Sequence, residues 1–357
     1  MSKTQKIIII LAVCFVLTAT TALFGCKATA TGTTGGAETI AEAQKYKIGI
    51  TLWTTSDTFT VQMGDGWTKV IKDAGSESVT LSNEGGKEVD NTRNLISQGV
   101  DAAVMCYWDP NLAKTSIDLF NEKKIPVFSI DIPMPGTVFL GVNNYDVGTK
   151  AGNFMADWVI KNWDGKVDLV IDINSPTEGP IVAQRFQGQE DAFLKKINYP
   201  VDKVERQDGG GWADGALKAI RPILAKSSDA KKIVIFNESD ACTQGIKTAL
   251  EEAGKTENAI IMPLGMPKDA IHLVRDNKMP IMGGIAFFPD KYGEQGIQQL
   301  IEIIKSVKAG TTLDEAYKKF VKDTMNNPET KEYLSQVIYV KTEVITAENI
   351  DQYFTAE

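Results

Sequence analysis

Glu88-Val89-Asp90-Asn91-Thr92-Arg93-Asn94-Leu95-Ile96-Ser97-Gln98-Gly99-Val100-Asp101-Ala102-Ala103-Val104-Met105-Cys106 contains one full unit of the pattern that organises this chain. A helical stretch over 88–98 ends at Gly99, where a helix C-terminus takes a left-handed residue. An apolar run over 102–106 follows and reads as a buried strand. Outward from it, the same alternation predicts strands over 48–52, 127–130, 167–173, 233–236 and 260–264. Helical patterns cover 61–73, 112–123, 147–162, 181–196, 213–225, 242–253 and 294–308, with Gly254 ending one of them. The clearest places Val147, Ala151, Phe154, Met155, Trp158 and Val159 on one face. Strands that are apolar throughout and alternate with helices argue for parallel sheets covered on both faces. One such set precedes about residue 143 and another follows it, so the expected fold is α/β with two doubly wound lobes. No repeat of solenoid period is present.

The N-terminus addresses the compartment. Residues 1–25 carry Lys3 and Lys6, then an apolar run over 7–24 softened by Thr18, Thr20 and Thr21, the layout of a secretory signal peptide. Its end, Leu23-Phe24-Gly25-Cys26, resembles the lipobox of bacterial lipoproteins, in which the cysteine is lipidated and becomes the first mature residue. Phe24 is bulkier than the small residue usual there. A plain signal anchor is the alternative, because an apolar run of this length, 7–24, just reaches the roughly 17–25 residues that span a bilayer. Residues 26–44 are rich in Thr, Gly and Ala and cannot bury a core, so they read as a lipidated flexible tether.

The charge and residue inventory excludes several functions. Of 38 Lys and Arg, Lys3 and Lys6 leave with the signal, so 36 stand against 46 acids, a net of −10. That balance disfavours nucleic acid and anionic lipid as partners. Beyond Cys14 and Cys26 the body keeps Cys106 and Cys242, without zinc-type spacing, and they read as two free, partly buried thiols. His272 is the single histidine, which removes most histidine-based catalysis and metal sites. No cofactor and no metal is expected, and no enzyme.

Over nearly the whole mature chain the residues resemble the type I periplasmic sugar-binding proteins, the ribose- and galactose-binding group. The matching segments are Lys47-Ile48-Gly49-Ile50-Thr51-Leu52, Leu95 to Ala102 as quoted above, and Lys124-Ile125-Pro126-Val127-Phe128-Ser129-Ile130-Asp131. Gly141-Val142-Asn143-Asn144 leads into Gly148 and Gly152, and Val344-Ile345-Thr346-Ala347-Glu348-Asn349-Ile350-Asp351 closes the match. The resemblance implies two Rossmann-like lobes joined by a three-crossover hinge. Lobe 1 would comprise 45–143 plus about 288–336, and lobe 2 would comprise 144–287 plus about 337–357. It further implies a monomeric, extracytoplasmic, lipid-anchored receptor that captures a sugar-like solute and hands it to an ABC-type importer, touching the membrane only through its anchor and the permease.

Ligands of such sheets bind beyond the strand C-termini, and the residues there are polar or aromatic: Trp53, Ser56, Asp57 and Phe59; Tyr107, Trp108 and Asp109; Asp131; Glu178 and Arg185; Trp212; Asn237, Ser239 and Asp240; Phe287. Aromatic plates suit apolar sugar faces, and ionised groups suit hydroxyl edges. Strand-end position and the resemblance together give the candidate ligand-binding set Asp57, Phe59, Trp108, Asp131, Arg185, Trp212, Ser239, Asp240 and Phe287, Trp108 resting on its position alone. Each has a plainer reading: a helix cap for Asp57, a turn cap for Asp131, a surface ion pair for Arg185, packing for the aromatics. Three positions depart from the ribose type, with Ile132, Leu264 and Phe287 standing where polar groups are usual. A hydroxyl-rich pentose is therefore disfavoured. A deoxy sugar, a glycoside, a nucleoside, an amine-bearing compound and another cationic ligand stay open. A sensory receptor that reports ligand state to a chemoreceptor or sensor kinase is the alternative function.

Overall fold

A computed structural model describes residues 45–107 and 110–355 of the chain. The expectations for 1–44, Cys26 included, and for Trp108 and Asp109 lie outside the described residues. No helix of the described residues is long and apolar enough to cross a membrane.

β1 (Lys47–Leu52) is buried from Ile48 onward, because helices cover both faces of its sheet. It pairs in parallel with β2 (Glu77–Ser82) and β3 (Ala102–Met105), setting Ile48 opposite Ser78 and Ala102. β4 (Val127–Ile130) and β5 (Val138–Gly141) continue the sheet in parallel. α1 (Thr58–Asp73), α2 (Glu88–Ser97) and α3 (Pro110–Glu122) make the connections. Trp67 of α1 and Phe128 of β4 meet edge to face, 6.3 Å between centroids, and both are fully buried. Burying one such side chain contributes about 1.5–3 kcal/mol.

α4 (Asn144–Trp163) carries the chain to a second group of strands. β6 (Leu169–Asn174), β7 (Glu205–Asp208), β8 (Ile233–Phe236) and β9 (Ala259–Ile261) form a parallel sheet in the order β7-β6-β8-β9. α5 (Gly179–Ile197), α6 (Ala213–Lys226) and α7 (Asp240–Glu252) connect them. β10 (Leu264–Gly265) and β11 (Gly284–Ala286), separated by α8 (Ile271–Arg275), start a small separate sheet. The chain then returns through α9 (Tyr292–Lys308), which packs on α1, and α10 (Leu313–Phe320). β12 (Thr324–Asn326) and β13 (Tyr333–Tyr339) complete the first sheet, β13 parallel to β5, and β14 (Glu343–Ile345) closes the small sheet against β11. The chain thus crosses between two α/β lobes three times, after 141, after 286 and after 339.

Several details differ from the sequence reading. The expected strand over 260–264 is two strands in two sheets, because Met262-Pro263 interrupts it and proline donates no ladder hydrogen bond. β2 and β7 went unpredicted, since edge strands face solvent and carry no apolar run, and β5, β11, β12, β13 and β14 and helices α8 and α10 went unpredicted too. The sheets are not wholly parallel: β12–β13 and β11–β14 are antiparallel. The last crossing falls after 339 rather than about 336, because all of β13 lies in the first sheet.

Candidate functional site

The C-terminal ends of β1, β3 and β4 in one lobe and of β6, β8, β10 and β11 in the other converge on one cavity of about 160 Å³. It opens toward a wider chamber of about 750 Å³, and Trp53, Asp57, Trp212 and Asp240 line both. The lobes meet around it: Trp53 packs on Trp212 with centroids 4.5 Å apart, Thr58 donates to Asp269 Oδ2 at 2.8 Å, and the Lys268 N–H donates to Gln62 Oε1 at 2.8 Å.

Asp57 is the N-cap of α1. Its Oδ2 accepts from the N–H of Thr60 at 2.8 Å and from the Thr60 hydroxyl at 2.7 Å, so the helix begins at Thr58, earlier than the apolar period indicated. The plainer reading of Asp57 is realised, although the residue still lines the cavity. Phe59 meets Phe287 and Tyr292 edge to face, at 6.2 and 5.9 Å. Ser239 caps α7 by accepting from the Cys242 N–H.

Asp131 ends β4 in the left-handed region, φ 59°, where aspartate is tolerated better than most residues. Its N–H still donates to the Leu140 carbonyl, while the N–H of Ile132 donates to the Ile130 carbonyl at 2.7 Å. The turn aims the carboxylate into the cavity, where Oδ1 accepts from the Tyr292 hydroxyl at 3.2 Å. Burial raises its pKa to about 6, against the opposing influence of Arg185, Tyr292 and the Val142 N–H.

Arg185 projects from α5 and is almost fully buried. Nε donates to Asn144 Oδ1 at 2.9 Å and Nη1 to the Glu238 carbonyl at 2.7 Å, and the guanidinium lies 5.3 Å from the centroid of the Phe287 ring. Asp240, at the start of α7, accepts from the Met266 N–H at 2.7 Å. Gly265, φ 119°, makes room for that carboxylate: a Cβ there would lie 2.5 Å from Asp240 Oδ2. Glu178 and Glu238 are buried side by side. Burial, and then the neighbouring Glu178 carboxyl, hold Glu238 well above the usual carboxylate range. Ile132, Leu264 and Phe287, the three apolar departures, all line this cavity.

A site of this kind, walled by aromatics and carboxyls and placed between lobes at strand ends, binds a small solute. A family model described as periplasmic binding protein domain matches residues 48–308. The chain belongs to the periplasmic binding protein family. The ribose import binding protein of Bacillus subtilis (strain 168) is 22% identical to this periplasmic binding protein over 280 residues, 77% of this chain and 87% of that one. Two solved ABC transporter solute binding proteins share the fold. One, from Actinobacillus succinogenes 130z with bound D-allose, has a TM-score of 0.66 at 19% identity and covers 86% of this chain and 100% of its own. The other, from Agrobacterium vitis with bound allitol, has a TM-score of 0.64 at 19% identity, over 87% and 98%. Membership in this family of binding proteins agrees with the expectation that the chain is not an enzyme.

Of the site residues expected from the sequence of this binding protein, Asp57, Phe59, Asp131 and Arg185 line the cavity together with Trp212, Ser239, Asp240 and Phe287. Trp108 lies outside the described residues. Tyr107 is on the wall, but its hydroxyl donates to the Ile132 carbonyl at 2.6 Å and so braces the turn after β4. Asn237 is structural: its Nδ2 donates to the Met262 carbonyl and its Oδ1 accepts from Thr243. Tyr292 and Glu238 were missed. Glu238 sits between two residues that were singled out, so its strand-end position was the available signal. Cys106 and Cys242 are free thiols, raised by burial.

Proposed function

We propose that this periplasmic binding protein captures a small sugar-like solute between its lobes and delivers it to an ABC-type importer, held at the outer face of the membrane by a lipid on Cys26. The observation that carries the solute class is the cavity wall itself, where aromatic faces of Trp53, Trp212 and Phe287 stand beside the hydrogen-bonding edges of Asp131, Arg185 and Asp240. A pyranose or furanose ring needs that combination, apolar plates for its faces and charged partners for its hydroxyls. The cavity is smaller than the roughly 300–1,000 Å³ of drug-sized sites, as a monosaccharide-sized guest requires.

A thermal-shift screen against sugars, polyols and nucleosides tests this. A cognate solute at a hundredfold excess over its Kd stabilises the protein by about 3 kcal/mol, seen as a melting temperature higher by several degrees. Silence across the sugar and polyol sets would sink the solute class. The anchor is tested separately. Metabolically incorporated labelled palmitate should appear on the protein in a bacterial host and vanish in Cys26→Ala; label retained in that variant would place the lipid elsewhere, and no label on the wild type would remove the anchor.

A further inference from the structure

The second-lobe corner of the cavity holds three carboxyl groups that the fold leaves incomplete. Glu178, Glu238 and Asp240 are 9%, 6% and 9% exposed. No N–H or hydroxyl of the protein donates to Glu178 Oε1, Glu238 Oε2 or Asp240 Oδ1, and the hydrogen bond within the corner is the one the Glu178 and Glu238 carboxyls make to each other when one is protonated. All three residues line the cavity. An acceptor buried without a donor costs about 1–3 kcal/mol, more when charged, so a native fold that keeps three together requires something else to complete them.

The charge balance says what that is. Five carboxyl side chains line the cavity, Asp57, Asp131, Glu178, Glu238 and Asp240, against the single guanidinium of Arg185. Arg185 directs Nε to Asn144 and Nη1 to a backbone carbonyl, not to a carboxylate. Among the described residues none of the five carboxyls takes part in an ion pair. A neutral hydroxyl brings one donor and no charge. An ammonium brings three donors and a positive charge, matching three acceptors in a corner whose carboxyls it would hold ionised. The aromatic walls at Trp53, Trp212 and Phe287 favour a cation further.

We infer that the solute carries a protonated amine, which docks in the corner formed by Glu178, Glu238 and Asp240. This rests on the sugar-like reading above and narrows it to amino sugars and amino-polyols. The carboxyl chemistry agrees: burial first, and then the Glu178 carboxyl, disfavour the ionised form of Glu238, and burial does the same for Asp240, a penalty that a bound ammonium relieves.

Matched pairs decide it. Isothermal titration calorimetry on the purified protein would compare D-glucosamine with D-glucose, D-galactosamine with D-galactose, and 1-amino-1-deoxysorbitol with sorbitol, with N-acetyl-D-glucosamine as the uncharged derivative. In at least one pair the amine should bind about tenfold or more tighter than its hydroxyl partner, and acetylation should remove the gain. Glu238→Gln and, independently, Glu178→Gln should bring the ratio within a pair toward one, a change in selectivity that general loosening of the fold does not produce. Neutral members binding as well as the amines overturns the inference and leaves the sugar-like reading standing. So does a preference that survives both glutamine variants. Absence of binding by every member overturns both readings.

Discussion

Replacing Asp131 by asparagine should weaken solute binding roughly thirty- to a hundredfold while making the solute-free protein more stable at neutral pH. Asparagine is the informative replacement because it keeps the left-handed backbone at φ 59°, which alanine would strain. It also keeps the side-chain shape that Gly141 accommodates, where a Cβ would lie 2.7 Å from Asp131 Oδ1. What it removes is the charge. Burial raises this carboxyl from the usual range, near 4, to about 6, against the opposing pull of Arg185, Tyr292 and the Val142 N–H. A raised carboxyl pKa means that the folded state holds the proton more tightly than the unfolded chain does. The folded protein bears no penalty below about pH 4, and the penalty grows as pH rises through the interval to about 6, above which it is complete. A shift of about two units corresponds to about 3 kcal/mol, and the residual solvent contact of Asp131 reduces it to about 2 kcal/mol.

Denaturant midpoints measured from about pH 4 to about pH 7 should therefore fall more steeply in the wild type than in Asp131→Asn. Glu238, Asp240 and Asp172 are raised as well, chiefly by burial, so the variant removes one share of the slope and not all of it. The binding loss follows from replacing an ionised acceptor, whose hydrogen bonds are about twice as strong as neutral ones, by an amide. Parallel pH slopes in the two proteins, or unchanged affinity for the solute found by the screen, would remove Asp131 from the site. A gain in stability coupled to a loss in binding is the signature of a group held at an energetic cost for function.

Asp131 also shows what the sequence can carry. An acid directly after an apolar run is legible because β4, buried on both faces, leaves a continuous apolar signature whose end can be located. The same logic found β1, β3 and β8; it failed for β2 and β7, whose outer edges face water, and also for the short buried strands β5 and β11. Site residues next to a legible strand end were recoverable. Tyr292, the hydrogen-bond partner of Asp131, lies 161 residues further along the chain. It reaches Asp131 only because the chain returns to the first lobe after β11, and nothing in its local pattern marks that. Asp57 illustrates a different limit. The helix-cap and cavity-wall readings were set against each other, yet one carboxylate serves the cap while the residue remains on the wall.

A large loss of stability is expected from a single methyl group at Gly148. α4 and α5 pack through glycine faces: a Cβ at 148 would lie 2.0 Å from the carbonyl oxygen of Arg185 and 2.8 Å from the N–H nitrogen of Gln189. These are backbone atoms, so no side chain can swing aside, and the helices must part. Overpacking of this kind costs about 1–3 kcal/mol or more. The consequence reaches the cavity because α5 is fastened there by the same residues. Arg185 bonds to Asn144 and the Glu238 carbonyl, and Gln189 Nε2 to the Asn237 carbonyl at 2.9 Å. Gly148→Ala should thus lower the denaturant midpoint and also weaken solute binding under conditions where the protein remains folded. Gly188→Ala intrudes from the opposite helix, with its Cβ 2.4 Å from the Tyr145 carbonyl oxygen, and should act alike. The double variant provides the sharper test. One separation of the helices relieves both intrusions, so its cost should fall short of the sum of the single costs by more than about 0.5 kcal/mol. Additive costs would mean that the two glycines act locally, and a Gly148→Ala variant that binds normally would show that α5 holds Arg185 in place without its close seat on α4.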